Sequence, residues 1–173
     1  MPVETLMLTE SFSSSVLFTD KVMKRSDFAP LLYDLGTLYF PDESMSRLVS
    51  TKRPMPYYQR QNPRYLLQEL AKGPKTCDSV QGLLPVMPPE AITDPAILGL
   101  AKDQGTLLVN FAPDFASIPE LMLPESERML VYAMVNTLCE NSSIQRVGFF
   151  ISGVQPEVFS GEIYWPGLFC PMK

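Results

Sequence analysis

The chain of 173 residues contains no histidine. Histidine is the usual proton carrier near neutral pH and the commonest metal ligand. Its absence excludes Ser-His and Cys-His nucleophile pairs and nearly every zinc hydrolase layout. Cysteine is scarce too. Cys77, Cys139 and Cys170 are far apart, odd in number and form no CxxC pair. At most one disulfide could form, and the pattern points to free, partly buried thiols rather than a structural metal. No run of about 18 apolar residues occurs, so no segment reads as a membrane span. The opening stretch "MPVETLMLTESFSSS" has neither the basic n-region nor the apolar h-region of a signal peptide. Taken as it stands, the chain is expected to be soluble. Basic runs are missing, and the net charge is −5. Both argue against nucleic acid or an anionic membrane as partner. No internal repeat or low-complexity tract is present.

What is present is ordinary globular material, 46 % apolar and 19 % charged. The length fits one domain with an appended arm. Seventeen prolines predict short elements and long ordered connections. Residues 1–35 read as an N-terminal arm, with a possible strand over Ser14 to Met23 and one helical turn within Ser26 to Leu35. Residues 36–173 read as the folded domain, including an apolar, aromatic C-terminal tail expected to fold back onto it.

Within that domain Gly36 to Tyr57 predicts a hairpin. "TLYF" carries β-formers, "PDES" is turn chemistry, and "RLVSTKRPM" alternates, with Leu48 and Ser50 on one side and Val49 and Thr51 on the other. Pro54 and Pro56 suggest an edge. "NPRYLLQELAKGPK" predicts a helix with both ends marked. Asn62 caps it and Pro63 fits its first position. Leu66, Leu67, Leu70 and Ala71 make one apolar stripe, and Gly73 with Pro74 stops it. Ile97 to Lys102 and Thr106 to Phe111 predict two strands joined by a tight turn. Leu107, Val109 and Phe111 share one face, and Leu108 and Asn110 share the other. "LPESERMLVYAMVNTLCENSS" predicts a second, mostly buried helix with two acids in its first turn. Leu130, Met134 and Leu138 align along it. "QRVGFFISGV" predicts the last strand. The order ββαββαβ points to an α+β fold, a small mixed or antiparallel sheet with two helices packed on one face.

The chemistry-bearing residues form no recognisable constellation. Glu69, Asp78, Glu90, Asp94, Asp103, Asp114, Glu120, Glu125 and Glu127 are scattered, and a carboxylate hydrolase needs two of them facing one another in a cleft. "GLLPVMPP" and "AKGPK" match no phosphate-cradling loop. Asn141-Ser142-Ser143 is a formal glycosylation acceptor of a kind common by chance. No catalytic, cofactor-binding or metal-binding residue is assigned, and no cofactor is expected. The polar pair Asn136-Thr137 interrupts an apolar helix, with Cys139 two residues on. Glu140 and the helix C-terminus both disfavour a Cys139 thiolate. The pair reads as architecture: a Thr hydroxyl can bond back one turn along its helix, and a buried Asn needs backbone partners. Asn136 is therefore expected to be buried and bonded to loop backbone, fixing the turn into the last strand.

The order of the motifs carries more than any one of them. "LYFPDE", "RLVSTKR", "LLQELAKGP", "LLPVMPP", "GTLLVNFAPDFAS" and "ERMLVYAMVNTLCENSSIQRVGFFISG" follow one another from about Gly36 to Gly153. This succession resembles the GerMN domain, the sporulation and spore germination domain. The resemblance makes Leu70, Gly73 and Pro74 a helix-stop motif. It makes Val109, Phe111 and Phe115 a strand motif, and Val135, Asn136, Thr137 and Leu138 a helix-end motif. Leu130, Val147 and Phe149 join them as structural positions. It further implies an extracytoplasmic protein of a Gram-positive bacterium, often a lipoprotein, from a family not known for enzymes. The domain is similar to ring-building modules that assemble into channels linking membranes. The chain departs from the pattern in having no lipobox, its first cysteine being Cys77, so anchoring would need a segment preceding it. One domain copy is visible, and the first 35 residues lie outside the match.

The resulting expectation is a non-enzymatic interaction module at the cell envelope, associating with itself or with envelope or sporulation proteins through sheet edges and helix faces. Binding of a small molecule or cell-wall glycan is the second reading, and a carboxylate hydrolase the third.

Overall fold

The computed structural model describes residues 32–92 and 96–172. The elements come in the expected order. Strands β1 (Tyr33–Pro41) and β2 (Leu48–Pro56) precede helix α1 (Pro63–Ala71). Strands β3 (Ile97–Asp103) and β4 (Thr106–Phe111) precede helix α2 (Pro124–Glu140), and strand β5 (Arg146–Ile151) closes the series. The possible strand over Ser14 to Met23 and the first part of the turn expected near Ser26 lie outside the described residues. Tyr33 to Leu35, assigned to that arm from the sequence, are strand instead: they lie opposite Pro56, Met55 and Pro54 in the β1–β2 ladder.

The fold is α+β, with its strands in two sheets: the antiparallel hairpin β1–β2, and a mixed sheet ordered β3-β4-β5. β3 and β4 are antiparallel, whereas β4 and β5 run parallel in register from Thr106 opposite Arg146 to Phe111 opposite Ile151. A parallel pair cannot be closed by a tight turn, and α2 supplies the crossover.

Each helix is marked in the sequence by its ends and its stripe. Asn62 Oδ1 accepts the backbone N–H groups of Arg64 and Tyr65 at 3.1 and 3.4 Å, and Pro63 occupies the first position. Leu66, Leu67 and Leu70 are fully buried, and Gly73 takes φ +72° just beyond the helix. α2 is buried nearly all round, from Met129 to Leu138. In the mixed sheet, Leu107, Val109 and Phe111 enter the core while Leu108 and Asn110 stay half-exposed on the far face. Phe111 stacks on Phe115 at 4.0 Å and lies 6.1 Å from Phe149.

The C-terminal tail folds back as expected. Phe149, Phe159, Trp165 and Phe169 meet edge to face or tilted, with centroids 5.2–6.1 Å apart. Trp165 is fully buried, and its indole N–H donates to Glu127 Oε1 at 2.6 Å. Glu127 Oε2 accepts the Ser160 hydroxyl. An acid read as helix-dipole complement thus also anchors the tail to the first turn of α2.

Candidate docking surface

The end of α2 is a set of polar side chains that bond other segments' backbone. Asn136 is 5 % exposed. Its Oδ1 accepts Met172 N–H at 2.9 Å and its Nδ2 donates to Met172 O at 3.0 Å. Asn136 is thus buried and bonded to loop backbone, but the loop is the C-terminal tail rather than the turn into β5. Thr137, expected to bond back along its own helix, instead accepts the Tyr39 N–H at 3.2 Å. The back-bond belongs to Ser142, whose hydroxyl donates to Leu138 O at 2.6 Å.

Asn141 completes the set. Its Nδ2 donates to Thr37 O and Thr137 O at 2.6 and 2.7 Å, and its Oδ1 accepts Thr37 N–H at 2.8 Å. Thr137 and Asn141 stand one helical turn apart and present side-chain groups to the outer edge of β1 as a neighbouring strand would present backbone. The formal glycosylation acceptor is therefore a buried residue with three hydrogen bonds. Nearby Cys139 is half-buried. Burial, with the Cys170 thiol adding to it, pushes its pKa up to about 11, so it is a thiol at neutral pH. Burial, rather than Glu140 or the helix end, is the main cause.

Sequence reasoning missed a second cluster. Arg53 is 1 % exposed. Its Nε and Nη2 donate to the two Asp78 oxygens, each at 2.6 Å. Nη1 donates to Glu69 O at 3.0 Å and to Glu69 Oε2 at 3.1 Å, and Nη2 also reaches Gly73 O at 2.8 Å. All five guanidinium donors are occupied. The Glu69 and Gly73 carbonyls belong to the last turn of α1 and the residues that stop it, where no helical partner exists. Burial acts against the Glu69 carboxylate, but Lys72 and Lys75 bond it and hold its pKa down at about 2. The signal was available. β2 alternates strictly, so Thr51 and Met55 facing inward require Arg53 to face inward as well.

Of the scattered carboxylates, Glu69 and Asp78 meet at Arg53, and Glu127 faces the tail. Asp94 lies outside the described residues. Among the described residues no group of three or more His, Cys, Asp or Glu side chains is arranged to hold a metal ion. One groove, of about 470 Å³, is lined by Asn136, Cys139, Glu140 and Met172 among others.

The sheet edges differ sharply. β1 is covered by Thr137 and Asn141. On β2, Lys52 N–H donates to the Ser79 hydroxyl at 2.8 Å and Lys52 O accepts Ser79 N–H at 2.9 Å. Pro54 and Pro56 share the parity of Lys52 and have no N–H to expose. On β5, Val147 exchanges two hydrogen bonds with Phe169 of the tail, at 2.9 and 2.8 Å, and Ile151 pairs with Val154. β3 differs: among the described residues no hydrogen bond reaches its outer backbone. Gln104 (φ 41°) and Gly105 (φ 78°) form a two-residue turn of the I′ kind between Asp103 and Thr106. Asp103 then bonds inward to β4, and alternation leaves the N–H and C=O of Leu100 and Lys102 pointing out. Leu98, at the bulge in this strand, is 51 % exposed.

The motif residues singled out in the sequence are spread through the core. Leu70, Val109, Phe111, Leu130, Val135, Thr137, Leu138, Val147 and Phe149 are fully buried, and Phe115 is nearly so. Pro74 follows Gly73 where α1 ends.

Three comparisons bear on relatedness. A family model described as "Germane: Sporulation and spore germination" matches residues 37–157. Comparison with curated proteins gives no match. Among solved structures, the chain is similar to the tandem GerMN domains of the sporulation protein GerM from Bacillus subtilis (TM-score 0.59, 16 % identity, 90 % of this chain and 50 % of that one). It therefore spans about half of that tandem structure. It is also similar to the first GerMN domain of the same protein (TM-score 0.55, 22 % identity, 81 % and 94 % covered). A third similar structure is a protein assigned as a lipoprotein from Clostridium perfringens (TM-score 0.50, 17 % identity, 81 % and 89 % covered). At these identities the structures share the fold, while the family match covers most of the chain: this protein belongs to the Germane family of sporulation and spore germination domains.

Proposed function

We propose that the domain is a non-enzymatic interaction module of the sporulation or germination machinery, working on the extracytoplasmic side and docking to itself or to cell-envelope proteins. One observation carries this reading. The buried polar side chains Arg53, Glu69, Asp78, Glu127, Asn136, Thr137 and Asn141 are all engaged in bonds that hold the fold. A catalytic site needs such groups left poised toward a substrate. The family and the GerM-like fold support the sporulation context, and the lipoprotein neighbour supports an envelope location. Among the described residues no helix is long and apolar enough to cross a membrane. The test is co-purification from cross-linked envelope fractions alongside solution mass across a concentration series. Specific capture or reversible self-association is expected. A strictly monomeric species with no envelope partner would overturn the reading.

A second reading, recognition of a cell-wall glycan, has one observation in its favour. Tyr33, Tyr57 and Tyr58 are 55–77 % exposed around the open end of the hairpin. Tyrosine presents an apolar face and a polar tip, as saccharide stacking requires. A saturable thermal shift with muropeptides, lost in Tyr57→Ala/Tyr58→Ala, would favour it.

A further inference from the structure

We propose that the open β3 edge pairs with the same edge of a second copy of this chain, joining two mixed sheets across a two-fold axis. This rests on the interaction-module reading and gives it a surface and a partner.

An open edge carries unpaired N–H and C=O groups that only another extended backbone satisfies fully. The other strand edges show how thoroughly this fold protects such groups. β1 is covered by a helix's side chains, β2 by Ser79 and two prolines, and β5 by Phe169 and Val154. Among the described residues nothing covers β3 in this way, and its own edge features are the bulge at Leu98 and Lys102. It has no proline, and its one lysine stands near the end of "ILGLAKD". Since the described edges of a second copy are covered in the same way, the strand it offers is its own β3. The contact is then isologous and closes as a dimer, whereas a ring needs two different surfaces.

The residue pattern suits antiparallel self-pairing. With the axis at Leu100, the outward amide and carbonyl of Leu100 meet those of Leu100 in the second copy. Gly99 lies opposite Ala101, small against small. The two Lys102 side chains fall at opposite ends of the pairing, so no like charges oppose, which a parallel arrangement would impose. One strand edge buries less than the roughly 1,200 Å² at which stable interfaces begin, so the dimer is weak and forms only at high protein concentration. Anchoring chains side by side would raise their effective concentration into that range.

The experiment is sedimentation of the full chain from micromolar to near-millimolar concentration, with hydrogen exchange read at both extremes. A monomer–dimer equilibrium is expected, with the Leu100 and Lys102 amides protected only at high concentration. Leu100→Pro removes an outward N–H without touching the β3–β4 ladder and should abolish the dimer. Leu98→Lys, at an exposed side chain, should raise Kd at least tenfold and covers the case in which the proline variant misfolds. Dimerisation unchanged in both variants would overturn the β3 assignment while leaving self-association, and so the module reading, intact. A species monomeric throughout, with fast exchange at both amides, would overturn the inference outright. So would protection of those amides by an envelope protein in place of a second copy.

Discussion

The hairpin half and the mixed-sheet half of this domain share one core but are secured differently. The hairpin buries Leu38, Phe40 and Met55 in the shared core and is further tied down by polar side chains: Arg53 to α1 and its loop, Thr137 and Asn141 to β1. The mixed sheet is held by Leu107, Val109, Phe111, Val147 and Phe149, all nearly or fully inaccessible, with the aromatic tail closing over them. Polar attachment is directional and saturates every group it touches. Apolar packing is non-directional and leaves backbone at the sheet's rim unaddressed. Among the described residues the hairpin edges and part of the β5 edge receive hydrogen bonds, and the outer edge of β3 receives none.

The sharpest test of the contrast is Arg53→Ala, which leaves two carboxylates and two carbonyls in a buried space without their donor. Removing one member of a buried ion cluster costs about 3–5 kcal/mol, so a large fall in the urea midpoint is expected. A loss comparable to an exposed substitution would show that the cluster is not what secures the hairpin. Asn141→Ala should cost about 2–3 kcal/mol, since it strands the Thr37 N–H and C=O, and should speed amide exchange in β1 while leaving β4 unchanged. Equal acceleration in both sheets would erase the distinction between the two halves.

Acid gives a smaller effect confined to the polar half. The Glu69 pKa is depressed to about 2 from 4.5, so its contribution is fully present above pH 4.5 and is lost as pH falls through about 2. Urea midpoints taken across that window should decline, and Glu69→Gln should flatten the part of the decline due to this residue. The smallest change is expected from Asn136→Ala, about 1 kcal/mol, read as faster exchange and narrower NMR lines at Met172. A cooperative loss of the whole domain in that variant would mean that the tail is integral to the core rather than held onto it.

The sequence carried the element order because each element is locally marked. Asn62-Pro63 and Gly73-Pro74 bracket α1, Gln104-Gly105 turns β3 into β4, and alternation places Leu107, Val109 and Phe111 inward. These signals depend on neighbours a few residues away. Arg53 was legible by the same alternation but was passed over, because charged residues are seldom fully buried. Asn141 gave no signal at all: a helix-terminal Asn beside two serines looks like a solvated end. The bonds to Thr37 join positions 104 apart in the chain, and no local pattern reports them.

By itself, then, the sequence determined which segments become strands and helices, where each stops, and which faces are apolar, since these follow from backbone preference and short-range periodicity. The tertiary structure decided that the strands divide into two sheets, that Asn136 holds the tail while Thr137 and Asn141 close β1, and that, among the described residues, the outer edge of β3 meets no hydrogen-bonding partner. Whether an edge is covered depends on which distant groups reach it, and hydrogen-bond geometry in the assembled fold is what selects them.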